Sequence, residues 1–109
     1  MATTYKVLGQ SAPSATTATN IYTVPSATEA VISTIVVCNR AASAATYRIS
    51  VRPDGATQAN QHYIAYDATV SANDSTALTL GITVNAADVI TVYGSTADLS
   101  FNIFGSEIA

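Results

Sequence analysis

The most apolar run of the chain lies at residues 29–39, where nearly every position is apolar or β-branched. Successive side chains of a β-strand point to opposite faces. Val31, Ile35 and Val37 fall on one face of this run, and Ile32 and Cys38 fall on the other. Because both faces are largely apolar, the pattern predicts a central strand that other parts of the protein cover on both sides.

Shorter runs before and after this stretch alternate with a period of two. Residues 46–52 place Tyr47 and Val51 on one face and Arg48 and Arg52 on the other, as in a strand with one face in water. Gly81 indicates a bend or bulge inside its run. The same alternation predicts further strands at residues 3–9, 20–24, 61–70, 75–84, 89–93 and 99–104.

The first run carries two different faces. Its alternation sets Tyr5 and Val7 on one side and Lys6 and Leu8 on the other. The next stretch, residues 10–19, is rich in Ser, Ala, Thr and Pro and has nothing to bury, so it is either an arm laid over a neighbouring subunit or a surface loop.

These runs add up to about eight strands at intervals of roughly 8 to 12 residues, with no convincing helix. The fold class that this predicts is all-β, an antiparallel β-sandwich or jelly roll, and the spacing does not choose between the topologies. A chain of 109 residues fits one domain. We therefore expect a single domain over residues 1–109, with residues 1–19 forming a strand and an extended arm.

The surface carries unusually little charge. Charged residues make up 10% of the chain, against about 25% in typical soluble domains. Such a Thr- and Ala-rich exterior is either simply bland or partly covered by other subunits. Net charge is −3, with four Lys and Arg among seven acids, so no basic stripe for nucleic acid is expected.

The residues offer no catalytic constellation. The single histidine, His62, has no recognisable serine and acid partners, and it is expected on a strand face in the core or at an interface. The single cysteine, Cys38, lies in the apolar run and is expected to be buried. We predict no enzyme activity, no cofactor and no metal site. No membrane span or signal peptide is recognisable, so the chain is expected to be made and used without crossing a membrane.

Three segments carry a family resemblance: residues 20–39 with their Tyr-Thr-Val-Pro and Val-Cys-Asn elements, the run Tyr-Arg-Ile-Ser-Val-Arg at 47–52, and Ala-Asn-Gln-His-Tyr-Ile at 59–64. The chain resembles small virion structural proteins of tailed bacteriophages, particularly those of marine and cyanobacterial hosts. The resemblance implies a β-sandwich that decorates the capsid as a cement protein or is built into the tail or neck.

The expectation that follows is a homotrimer on the capsid surface, assembled in the host cytoplasm, that binds the major capsid protein and holds the shell against genome pressure. The alternative is a tail, neck or fibre module that binds host-surface glycans. No nucleic acid or membrane partner is expected. The candidate subunit-contact residues are Tyr5, Lys6, Arg48, Arg52, Gln58, Asn60 and His62.

Overall fold

The computed structural model describes residues 2–109 and confirms the predicted β-sandwich. Nine strands form two antiparallel sheets in this part of the chain, one more strand than expected. The strands are β1 (Thr3–Ser11), β2 (Thr19–Thr23), β3 (Glu29–Asn39), β4 (Ala45–Arg52), β5 (Tyr63–Val70), β6 (Ser75–Leu78), β7 (Ile82–Val84), β8 (Val89–Gly94) and β9 (Leu99–Ile108).

The first sheet has the strand order β1-β9-β3-β6, with β7 also paired to β3, and the second has the order β2-β8-β4-β5. β6 and β7 come from the single run predicted at residues 75–84. The run is interrupted near Gly81, which has a φ of 64°, a conformation that glycine adopts without steric cost. The predicted bend at Gly81 is therefore confirmed, and it accounts for the additional strand.

The core lies between the inner faces of the two sheets. Tyr47 of β4 and Phe101 of β9 meet there edge to face, with ring centroids 6.3 Å apart. Each fully buried side chain of this kind contributes about 1.5–3 kcal/mol. Other buried members of the core are Ile32, Ile35, Val37, Ile49, Ile90, Val92, Leu99 and Ile103.

The prediction that β3 is covered on both faces is wrong. Ile35 and Val37 on its inner face are fully buried, but Val36 and Cys38 on its outer face are only half-buried. The bulge between Ile32 and Thr34 reverses the alternation, so Val31 lies half-buried on the outer face and Ile32 on the inner face, opposite to the predicted assignment. The expectation of a buried Cys38 fails with it. The two sheets cover each other's inner faces, and no third layer among residues 2–109 lies over the outside of the first sheet.

A buried amide fixes the end of β3. The side-chain nitrogen of Asn39 donates to the carbonyl oxygen of Ser43 at 2.9 Å and lies 3.3 Å from those of Val70 and Ser71. Its side-chain oxygen accepts the N–H of Ala41 at 3.0 Å. Since Asn39 is 1% exposed, these bonds are what make the burial of its polar atoms tolerable.

β9 approaches β3 closely at one glycine. A Cβ built at Gly105 would collide with the carbonyl oxygen of Val31, beside the bulge between Ile32 and Thr34. The only helical segments of residues 2–109 are two 3₁₀ turns, Pro53–Gly55 and Asn60–His62. No helix in this part of the chain is long enough to cross a membrane.

Candidate interaction surfaces

The histidine is part of a turn. His62 is 9% exposed, and its Nδ1 accepts the backbone N–H of Ala59 at 3.0 Å, which closes the turn that leads into β5. Among residues 2–109, no group of three His, Cys, Asp or Glu side chains is placed to hold a metal ion. The hollow between Gln58 and Tyr93 has a volume of about 40 Å³, whereas the larger hollows, of about 340–490 Å³, are shallow and open to solvent.

The outer face of the second sheet carries an arginine stacked between tyrosines. The guanidinium carbon of Arg48 lies 4.2 Å from the ring centroid of Tyr66 and 4.4 Å from that of Tyr93. Both distances are within the range of cation–π attraction. The Tyr63 ring meets the Tyr66 ring edge to face at 4.8 Å between centroids. With Asp67, we call these residues the arginine–tyrosine cluster.

A β-bulge in β5 builds this cluster. Tyr47 pairs with Ala68 and Ile49 pairs with Ala65, so Tyr66 and Asp67 together stand opposite Arg48. Asp67 has a φ of 52°, a left-handed conformation that Asp tolerates better than most residues. The bulge therefore turns an aromatic ring and a carboxylate toward the same guanidinium.

The carboxylate of Asp67 holds Arg48 by two bonds. Arg48 Nε donates to Oδ1 at 2.7 Å, and Nη2 donates to Oδ2 at 3.3 Å. The hydrogen bond from Arg48 lowers the pKa of Asp67, and the same bond raises the pKa of Arg48. Asp67 is exposed and Arg48 is half-buried, so solvent screens the pair in part. The cluster thus presents aromatic rings and a neutralised arginine.

Arg52 and Gln58 use their polar groups within the chain. Arg52 Nε donates to Thr91 Oγ1 at 3.1 Å, and Nη2 donates to Asn20 Oδ1 at 2.9 Å, which ties β4 to β8 and β2. Gln58 Oε1 accepts a 2.6 Å hydrogen bond from the buried hydroxyl of Ser50. These contacts hold the segment after β4 over the sheet.

The outer face of the first sheet carries exposed apolar side chains. Tyr5 and Val7 of β1 are 84% and 46% exposed, and Phe104 of β9 is 37% exposed. Val7 pairs with Phe104 across the ladder. Val31 and Ser33 of β3 line the same open groove. We call Tyr5, Val7 and Phe104 the apolar patch.

The apolar patch lies in weakly charged surroundings. By strand alternation and register, Glu29 is the one charged residue at an outward position of β1, β3 and β9. Lys6 alternates to the other side of β1, where its Nζ lies 3.1 Å from Glu107 Oε1. Its positive charge is therefore balanced within the chain.

Glu107 also links the two sheets. The hydroxyl of Tyr22 on β2 donates to Glu107 Oε2 at 2.6 Å. Burial raises the pKa of Tyr22, and the bond to Glu107 raises it further. The same hydrogen bond lowers the pKa of Glu107, and the hydrogen bond from Lys6 lowers it further.

The seven predicted contact residues do not come together in one site. Tyr5 and Lys6 lie at one edge of the first sheet, and the others lie in or beside the second sheet: Arg48, Arg52, Gln58, Asn60 and His62. Of these, Tyr5, Lys6 and Asn60 are exposed, whereas Arg52 and Gln58 are held by internal bonds and His62 is buried.

The predicted contact residues did not include six members of these surfaces: Val7, Tyr63, Tyr66, Asp67, Tyr93 and Phe104. A signal existed for Phe104, because Leu99, Phe101 and Ile103 point inward and the alternation sends the next residue outward. No local pattern shows that Tyr66 and Tyr93 flank Arg48, since that depends on strand pairing and on the bulge.

Comparisons with known proteins give no relative from which to transfer a function: no family model, no curated protein and no solved structure matches the chain.

Proposed function

We propose that this chain is a non-enzymatic structural protein of a phage virion, a capsid decoration protein that binds the major capsid protein and stabilises its lattice. The observation that carries the proposal is the placement of two exposed surfaces on opposite sides of a thin sandwich. The apolar patch lies on the outside of one sheet, and the arginine–tyrosine cluster lies on the outside of the other.

Two opposed surfaces let one small molecule contact two neighbours at once. The molecule measures 45 × 28 × 20 Å, so a contact on each broad side joins subunits across its thinnest dimension. Tyr and Arg are enriched among the residues that dominate binding energy at interfaces. Asp67 holds Arg48 in place between the two rings, so little freedom of the Arg48 side chain is lost when a partner covers it.

The remaining support comes from the sequence. The segments at residues 20–39, 47–52 and 59–64 resemble small phage virion proteins, and the low charge fits a surface that is largely covered after assembly. The proposal includes a homotrimer, made in the host cytoplasm and placed on the outside of the capsid. In this arrangement the arginine–tyrosine cluster faces the major capsid protein.

The test is binding to heads. Purified protein is added to expanded heads that lack it and, separately, to host cell envelopes, and bound protein is measured against concentration. We expect saturable binding to heads only. Tyr66→Ala should weaken it roughly tenfold or more, as loss of a central aromatic contact does, whereas Tyr66→Phe retains the ring and should bind as wild type. Absence of head binding would contradict the proposal.

A second candidate function is a tail, neck or fibre module that binds host-surface glycans. It is favoured by the exposed aromatic rings of β5, because Tyr66 is 57% exposed and contacts the Tyr63 ring. Aromatic rings with one accessible face are suited to stacking on sugars. Saturable binding to envelopes but not to heads, lost on removal of envelope polysaccharide, would favour this function over capsid decoration.

A further inference from the structure

We propose that the apolar patch lies on the rotation axis of a homo-oligomer of this chain, where Tyr5 of each copy packs against Tyr5 of the next. The contact is between copies of the same chain, so it holds whether the assembled protein sits on a capsid or in a tail. It also divides the surfaces by partner, with the patch for self-association and the arginine–tyrosine cluster left free.

The first argument is the uncovered face of β3. Its sequence is apolar on both sides, but the chain covers only one, and Val31, Val36 and Cys38 remain half-buried on the other. These residues adjoin the apolar patch through the pairing of β3 with β9 and of β9 with β1. A second copy laid over this face supplies the layer that the chain itself lacks.

The second argument concerns charge. A contact with a different protein is usually oriented and selected by complementary charges. Glu29, at one end, is the only charged residue at the outward positions of β1, β3 and β9. The charge of Lys6 is paired with that of Glu107. A neutral apolar surface is complementary to a copy of itself, and homodimer interfaces are more apolar than contacts between different proteins.

The third argument is the edge of the sheet. Among the described strands only β9 pairs with β1, and Thr3–Val7 keeps a regular register with it. This part of β1 contains no proline, and its one charge is neutralised by Glu107. Natural proteins normally protect such an edge with charge, proline or a covering element. A neighbouring copy at the axis provides that cover.

The patch supplies only part of the area that a specific contact needs. Taking about 150–250 Å² for an aromatic side chain, and the exposed fractions of Tyr5, Val7 and Phe104, the three side chains offer roughly 300 Å² per copy. Two copies would bury roughly 600 Å² in total through the patch, whereas specific interfaces begin at roughly 1,000 Å². The proposed contact therefore continues over the outer face of β3, where Val31, Val36 and Cys38 are half-buried.

The first experiment measures mass in solution by size-exclusion chromatography with light scattering over a range of concentrations. Wild type is expected to be oligomeric. Tyr5→Lys should raise the dissociation constant at least 100-fold, because several ammonium groups would meet at one axis. Leu80→Lys adds the same charge at a residue 53% exposed in the connection between β6 and β7, and it should associate as wild type.

The second experiment does not depend on a destabilising charge. Tyr5→Cys in a Cys38→Ser background should form interchain disulfides on mild oxidation, whereas Leu80→Cys in the same background should not. A monomeric wild type, an unchanged mass for Tyr5→Lys, or no crosslink through position 5 would each overturn the inference. Head binding is scored separately, so a crosslinked oligomer that ignores heads would refute the proposed function and leave this inference standing.

Discussion

Asn39→Asp tests the contribution of a single buried amide to the fold. The substitution keeps the size of the side chain but replaces its NH₂ group with an oxygen. The carbonyl oxygens of Ser43, Val70 and Ser71 would lose their donor and face a carboxylate. Only the bond from the Ala41 N–H to the side-chain oxygen would remain.

The expected cost follows from burial. Leaving a buried charge without a partner costs about 3–5 kcal/mol, and a buried unsatisfied polar group about 1–3 kcal/mol. Asn39 is 1% exposed, and the three acceptors lie in loops or at a strand end, where water can enter. We therefore expect a loss of about 3 kcal/mol in the free energy of unfolding at pH 7, or roughly 12 °C in Tm for a domain of this size.

The loss should depend on pH in a defined direction. Burial against carbonyl oxygens raises the pKa of the new carboxyl above its unfolded value of about 3.9. The protonated acid can donate one hydrogen bond, so the deficit is smallest below about pH 4 and grows as the pH rises toward the folded pKa. Stability at pH 4 should thus lie closer to wild type than stability at pH 7.

Urea unfolding, followed by far-UV circular dichroism at one protein concentration, measures the effect, since the chain contains no tryptophan for fluorescence. Asn102→Asp is the matched control. Asn102 lies half-buried on the outer face of β9, and its Oδ1 accepts a 2.7 Å bond from Gln10, which aspartate retains. The control should change stability by less than about 0.5 kcal/mol. Equal losses in both variants would refute the reasoning.

Two further substitutions address the links between strands and sheets. Gly105→Ala should destabilise the fold by more than about 2 kcal/mol or prevent folding, because the new Cβ collides with the Val31 carbonyl oxygen; wild-type Tm would contradict this. Tyr22→Phe should raise the pKa of Glu107 in an NMR titration, since it removes the main cause of the lowered value. A carboxyl group whose pKa is lowered by folding stabilises the fold above its unfolded pKa, and this stabilisation is lost on acidification. Below about pH 4.5 the free energy of unfolding should therefore fall more for wild type than for Tyr22→Phe. Parallel dependence of the two free energies on pH would contradict the assignment.

Much of the fold is visible in local alternation. The separation of Tyr5 and Val7 from Leu8 was predictable because side-chain direction in a strand repeats every two residues. Which of the two faces is buried was not predicted. Gly81 marked its bend for the same local reason, its freedom at positive φ. The exposure of the outer face of β3 was not predictable. An apolar face indicates that something covers it, but the pattern does not show whether the same chain or another molecule does so.

The surfaces were harder to predict than the fold. Arg48 could be named from its outward position on a strand, but the rings that flank it come from β5 and β8, which pair with β4 on its two sides. The contact with Tyr66 also needs the bulge that sets two residues against one. Bulges depend on the partner strand, so they are absent from the period of a single run. His62 could be named but not placed, since its environment is a turn closed by Ala59.

The bulge in β5 has a consequence for which edges of the sandwich can pair with a further strand. β5 and the Thr3–Val7 part of β1 are both edge strands, but β5 is kinked at Asp67 while this part of β1 is regular. A kinked edge is a poor template for a further strand. Of these two margins, only the Thr3–Val7 part of β1 is therefore a regular template, and a symmetric contact of this margin with its own copy would close on itself rather than propagate as a fibre. The one displaced residue in β5 would thus remove a margin through which such a pair could be extended.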